Sequence, residues 1–173
     1  MKNFLATSIG KKVAMAVSAI FLMVFLLQHF IINITSVFSE DIFNFLSHFM
    51  GTNPLVQFIL QPILIAGVIF HFVMGFYLEI QNRKAKKYVY HKERGGANST
   101  WMSRNMIWSG LVVLSFLILH FIDFWIPEMN HKYIEFLPED PNRYHEELVH
   151  KFENIWRVVF YCISVSYTHL RAH

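Results

Sequence analysis

The sequence predicts an all-α, polytopic transmembrane helical bundle with three complete spans and a truncated fourth. Hydrophobic residues make up 54% of the chain and charged residues only 16%. Three apolar runs are each long enough to cross about 30 Å of hydrocarbon as an α-helix; they are Val13–Ile34, Leu55–Ile80 and Asn105–Ile126. Each run contains one histidine. An ionisable ring within hydrocarbon is costly enough to mark a candidate functional site.

These runs place the predicted spans at residues 13–36, 55–80 and 104–126, with a fourth from 154 to at least 165. The first run is longer than the apolar region of a cleaved signal peptide, and no small-residue cleavage site follows it. Two short amphipathic helices are predicted between spans, in Ser39–Met50 and Pro141–Phe152. A single transmembrane domain is therefore expected over residues 1–165.

The end of the chain departs from the pattern of a membrane helix. The fourth span opens near Asn154 and needs about 20 apolar residues, yet Arg171 and two histidines fall where it should end. Residues 166–173 are therefore predicted to be a non-native tail, such as a cloning or assembly scar. On this interpretation the chain is incomplete.

Lysine and arginine residues predict the orientation of the spans. Lys2, Lys11 and Lys12 precede the first span, and further basic residues crowd the 81–104 loop, whereas the 35–54 connection has none. The positive-inside rule places the N-terminus and the 81–104 loop in the cytoplasm. The basic residues behind the net charge of +3 are thus explained by the orientation of the spans. Nothing in the sequence favours a nucleic-acid partner.

The sequence lacks the motifs that several classes of cofactor site require. Cys162 is the one cysteine, so neither an internal disulfide nor a cysteine-rich iron–sulfur or zinc site is available. The sequence contains no glycine-rich dinucleotide fingerprint and no P-loop. Flavin or iron–sulfur chemistry, if it is involved, must therefore reside on other subunits.

The predicted depths in the membrane place His29 and His120 at one level and His71 at another. His29 lies about 25 Å beyond Lys12, and His120 about 24 Å beyond Arg104, along helices that run outward. A bis-histidine haem needs two imidazoles at one depth on facing helices, which this pair satisfies. His71 lies closer to the cytoplasm and requires a partner low on the fourth span, within the suspected tail.

Plainer interpretations of these histidines stay open. An isolated intramembrane histidine also hydrogen-bonds to a neighbouring helix or lines a proton path. Gly67, His71 and Gly75 share one helix face. Such a stripe of small residues is typical of close helix packing, and beside a histidine it also leaves space for a flat macrocycle.

Other polar residues in or near the spans are weaker candidates. Gln28 and Asn33 flank the first histidine and are suited to a haem propionate, a quinone carbonyl or a neighbouring helix. Trp101 and Arg104, at the inner end of the third span, are suited to the propionates of an inner haem or to interfacial anchoring. Asp123 is compatible with proton transfer or with contact to water.

The order and spacing of several blocks resemble one protein family. The chain resembles the dihaem cytochrome b membrane-anchor subunit of succinate dehydrogenases and fumarate reductases (succinate:quinone oxidoreductases), of the single-chain type with five helices. The resemblance covers nearly the whole chain up to the tail. It rests on the blocks Leu27–Asn33, Phe43-Asn44 with His48–Met50, Ile69–Tyr77, Leu119-His120 and Trp156–Val165.

The resemblance implies two b-type haems held by four axial histidines on the first four helices. His29 and His120 would bind the outer, distal haem iron, and His71 one side of the inner, proximal haem iron. The family's fourth ligand would fall near position 171, which is arginine here, and His169 lies close by but off register. The family's fifth helix is absent.

The resemblance also implies a function in electron transfer. The chain would be a non-catalytic subunit that passes electrons between membrane quinone and a partner flavoprotein and iron–sulfur subunit acting on succinate or fumarate. It would lie in the lipid bilayer of the bacterial cytoplasmic (inner) membrane. Two alternatives stay open: a cytochrome b subunit of a hydrogenase or formate dehydrogenase, and a haem-free, proton-coupled transporter.

Overall fold

The structure, a computed structural model, describes residues 7–85 and 106–170. Throughout this part of the chain the regular elements are helices, and no strand occurs, so the all-α prediction is confirmed. Two π-helical turns, Val56–Leu60 and Phe121–Trp125, each lead directly into an α-helix. The α-helices are α1 Ser8–Phe38, α2 Glu40–Thr52, α3 Gln61–Ala85, α4 Met106–His120, α5 Ile126–Tyr133, α6 Arg143–Phe152 and α7 Ile155–Leu170.

Within the described residues, three continuous helices are long and apolar enough to cross a membrane: Ser8–Phe38, Val56–Lys84 and Ile107–Tyr133. A shorter apolar helix covers Ile155–Ser166. Large apolar side chains on these helices are exposed; Leu27 and Phe30 beside His29 are 62% and 60% accessible. Because so much contiguous apolar surface is stable only against lipid, the chain is a multi-pass membrane protein.

The two π-helical turns have a common local cause. Pro62 and Pro127 each follow a π-helical turn by two residues, and a proline ring inside a helix offers no N–H and crowds the carbonyl four residues earlier. The chain responds with bonds to the fifth preceding residue: the N–H groups of Gln61 and Ile126 donate to the carbonyls of Val56 and Phe121. The third long helix therefore continues through Pro127 to Tyr133, beyond its predicted end near residue 126.

The described residues form two compact units, 7–85 with 141–145, and 106–140 with 146–170. In the first unit α1 and α3 pack antiparallel, with contacts that step regularly along both helices. Lys11 Nζ donates to the Tyr77 hydroxyl at 3.2 Å near one end. Further along α1, Ser18 Oγ lies 2.9 Å from His71 Nδ1.

The two short amphipathic helices are joined through Asn44, which is 3% accessible. Its Nδ2 donates to the carbonyl oxygen of Asn142 at 3.0 Å, and its Oδ1 accepts from the N–H of His145 at 2.8 Å. A helix leaves its first N–H groups without partners inside the helix. Asn44 on α2 thus caps the N-terminal turn of α6 from outside that helix.

Close packing of α1 on α3 predicts different outcomes for two glycines of one helix face. A Cβ added at Gly67 would lie 3.0 Å from Cε1 of Phe21, whereas one added at Gly75 would meet Met15 Cε at an ordinary 3.7 Å. Alanine favours helix at both positions, so overpacking should make Gly67→Ala less stable than Gly75→Ala by about 1–2 kcal/mol. Thermal unfolding in detergent, followed by circular dichroism, measures the difference; equal midpoints would contradict the packing.

Candidate functional site

The three intramembrane histidines lie on three different helices and all are half-buried. His29 lies on α1, His71 on α3, and His120 ends α4 at the start of a π-helical turn. In the first unit, the contact between His71 and Ser18 shows that the His71 ring lies at the same depth as Ser18 of α1. Ser18 precedes His29 by about eleven residues, so the two rings lie about 16 Å apart along the helix axis.

The ring of His29 stacks on the phenylalanine one turn earlier. The Phe25 and His29 ring centroids are 5.5 Å apart with an interplanar angle of 24°. Asn33 Nδ2 donates to the backbone carbonyl of His29 at 2.8 Å, and Gln28 Nε2 approaches Met50 Sδ of α2 at 3.5 Å. Of the uses predicted for Gln28 and Asn33, the structure thus shows contact with a neighbouring helix for the first and a bond within α1 for the second.

The ring of His120, like that of His29, stacks on a phenylalanine four residues earlier in the same helix. Phe116, four residues earlier, stacks on it at 5.8 Å with an interplanar angle of 18°. Phe124 approaches to 5.2 Å and Tyr161 of α7 to 6.5 Å. Residues four apart are neighbours on a helix face, so a phenylalanine at that spacing restrains the ring plane of each histidine predicted to bind the outer haem.

The face of α3 around His71 is occupied by side chains of α1. Phe21 lies over Gly67 and Met15 over Gly75, while Ser18 meets the His71 ring between them. Of the two interpretations of this small-residue stripe, close helix packing is the one seen. The space above Gly67 is filled by Phe21, so clearance for a macrocycle is not found at that point.

A cluster of polar side chains around the buried carboxylate of Asp123 follows His120, and sequence reasoning recognised only that one member. Asp123 lies on the π-helical turn and is 2% accessible. Its Oδ1 is 3.1 Å from Arg157 Nη2 of α7, and the Tyr161 hydroxyl donates to its Oδ2 at 3.2 Å. Opposite charges in two apolar segments were the available signal, because a charge in a span is usually paired.

Three of the weaker sequence candidates cannot be placed. Trp101, Arg104 and the side chain of His169 lie outside the described residues. Among the side chains of residues 7–84 and 107–166, no group of three or more His, Cys, Asp or Glu comes together as a metal site. An axial haem ligand is a different kind of site, because each helix contributes a single imidazole.

The surroundings of the three histidines are compatible with axial imidazole ligation of a b-type haem, while the helix face beside His71 is filled by Phe21 at Gly67. Each histidine lies in a long apolar helix, is half-buried and has at least one aromatic neighbour. An apolar, aromatic surrounding suits a neutral imidazole and a largely apolar macrocycle. Comparison with protein-family models, curated proteins and solved structures finds no match to this chain.

Proposed function

We propose that this chain is the membrane-anchor cytochrome b subunit of a succinate:quinone oxidoreductase. It passes electrons through two b-type haems between membrane quinone and a partner pair of flavoprotein and iron–sulfur subunits. The observation that carries the proposal is the separation of His29 and His71 by about 16 Å along packed, antiparallel helices. Two ligands at two levels of one helix pair suit two haems stacked across the bilayer.

The proposal gives the histidines two roles. His29 and His120 would hold the outer haem, with Phe25 and Phe116 restraining their ring planes. His71 would hold the inner haem. When bound, these haems would supply one-electron transfer. The protein contributes ligands, orientation and exclusion of water.

Charge at the two ends of the α1–α3 pair supports the proposed orientation. Lys11 of α1 lies at the same end as Tyr77 of α3, and Arg83 and Lys84 occupy the last turn of α3. At the opposite end, α2 begins with acidic residues. Under the positive-inside rule, the basic end faces the cytoplasm of a bacterial cell. The iron–sulfur and flavoprotein subunits would then dock at this face of the cytoplasmic membrane.

The proposal is tested by the source of electrons that reduces the haem. In native membranes, succinate is expected to reduce a b-type haem of this chain, and a short-chain quinol is expected to reduce it in the purified protein. Reduction by hydrogen or formate, but not succinate, would assign the chain to the hydrogenase or formate dehydrogenase class instead. A protein with no haem band would favour the haem-free transporter.

A further inference from the structure

We infer that Ser18 is a positioning residue for His71: it accepts a hydrogen bond from Nδ1–H and so presents Nε2 as the ring nitrogen with a free lone pair. The assignment of the tautomer stands on the geometry of α1 and α3. The further step, that Nε2 binds the inner haem iron, rests on the proposed function. Sequence reasoning did not select Ser18.

The tautomer follows from a count of protons at the Ser18 hydroxyl. Ser18 Oγ lies 2.8 Å from the carbonyl oxygen of Met15 and 2.9 Å from Nδ1 of His71. A serine hydroxyl has a single proton to donate but two lone pairs with which to accept. When the hydroxyl donates this proton to the Met15 carbonyl, its hydrogen bond with the His71 ring requires Nδ1 to be the donor, so Nδ1 must be protonated.

The opposite arrangement is disfavoured. If Ser18 donated to an unprotonated Nδ1, its oxygen would face the Met15 carbonyl at 2.8 Å with no proton between two acceptors. The polar bond lies inside an apolar helix pair, where an unfavourable contact of this kind is costly. A neutral imidazole that carries its proton on Nδ1 has its lone pair on Nε2.

The packing of α1 against α3 holds the Ser18 hydroxyl next to the His71 ring. Ser18 is 9% accessible and faces α3, with Phe21 against Gly67 one turn further along α1. The ring of Phe72 meets His71 edge-on, with centroids 6.4 Å apart. Metal-binding histidines commonly donate their second N–H to a neighbouring group, which fixes the tautomer and increases the electron donation of the ligand. Ser18 is suited to this role.

The tautomer can be measured without haem by nitrogen-15 NMR of histidine-labelled whole chain in nanodiscs. His71→Gln identifies the His71 signals. Wild type and Ser18→Thr, which keeps the hydroxyl, are expected to show His71 almost wholly as the Nδ1–H form. Ser18→Val has the shape of threonine without the hydroxyl, and with Ser18→Ala it is expected to give a mixture of both tautomers. The exposed His150 should not respond.

The haem provides a second measurement on the same variants. Loss of the Nδ1–H bond weakens electron donation to iron, so Ser18→Val and Ser18→Ala should raise the midpoint potential of the haem bound by His71. The haem bound by His29 should keep its potential, and Ser18→Thr should resemble wild type in both.

The possible outcomes separate this inference from the proposed function. An Nε2–H tautomer in wild type, or identical spectra for Ser18→Val and Ser18→Thr, would overturn the role of Ser18 even if both haems bind. A chain that binds no haem but loses the Nδ1–H form in Ser18→Val would support the tautomer assignment. That result would overturn the iron-binding step together with the proposed function.

Discussion

His29→Ala and His120→Ala are each expected to remove the same b-type haem, while His71→Ala removes a different one. Bis-imidazole ligation needs both ligands, so loss of either should abolish the outer haem completely. In a preparation that carries both of the proposed haems, each single variant should retain about half of the bound haem. Haem content per chain and redox-resolved absorption spectra provide the measurement.

The pairing of the histidines is tested by combining these variants. The double variant His29→Ala, His120→Ala should match either single variant, whereas adding His71→Ala should remove the haem that is left. His150→Ala is a suitable control, because its side chain is 80% accessible and contacts only Glu153 among the described interactions. If all three single variants abolished one common species, the depth pairing would be wrong.

Arg157→Leu is expected to lower the free energy of unfolding by about 2 kcal/mol, because the Asp123 carboxylate is buried while the Arg157 side chain is 36% exposed. The side chain of Asp123 is 1% accessible, and its Oδ1 faces Arg157 at 3.1 Å. Removing the arginine would leave a buried carboxylate without its counter-charge, which costs more than the pair itself contributes. Tyr161 alone cannot compensate, because it donates one hydrogen bond to the other oxygen. Unfolding in mixed detergent micelles measures the loss.

A double-mutant cycle isolates the charge pair from side-chain packing. In the background of Asp123→Asn, Arg157→Leu should cost much less than in wild type, with a coupling energy of about 1–3 kcal/mol. Tyr161→Phe, which keeps the ring against Phe116 and His120, should cost about 1.5 kcal/mol. Equal costs of Arg157→Leu in both backgrounds would show that the ion pair does not stabilise the fold.

The helices were predictable because a membrane span is selected by length and apolar composition alone. Val13–Ile34 lies within the helix Ser8–Phe38, and Leu55–Ile80 matches the helix Val56–Lys84, which continues beyond the predicted C-terminal end. The two amphipathic helices were predictable from a different signal, the helical spacing of their apolar residues. The π-helical turns were not predicted, because apolar composition does not show how a helix accommodates Pro62 or Pro127.

The candidate site was only partly predictable because it depends on register between helices. The sequence predicted that His71 lies closer to the cytoplasm than His29, from the number of residues between each histidine and the basic end of its span. In the structure α3 continues beyond the level where Lys11 meets Tyr77, so the two rings lie further apart in depth. A helix that is apolar on most sides gives no periodic signal for its contacting face.

Tertiary contacts between distant segments explain the remaining omissions. Ser18 resembles any small residue of a span until its register with His71 is known. Arg157 lies 34 positions after Asp123, in a different helix, and only packing brings their charges together. The same holds for Asn44, whose partners on the α6 side are backbone groups without a sequence signature.

The most direct test of the central claim is the dithionite-reduced minus oxidised absorption spectrum of the purified wild-type protein. The prediction is the absorption band of a reduced b-type haem that His29→Ala diminishes and His150→Ala does not. Circular dichroism on the same samples shows that the helices are intact. A folded, helical protein without that band, after expression with an adequate supply of haem, would contradict the assignment of this chain as a cytochrome b subunit.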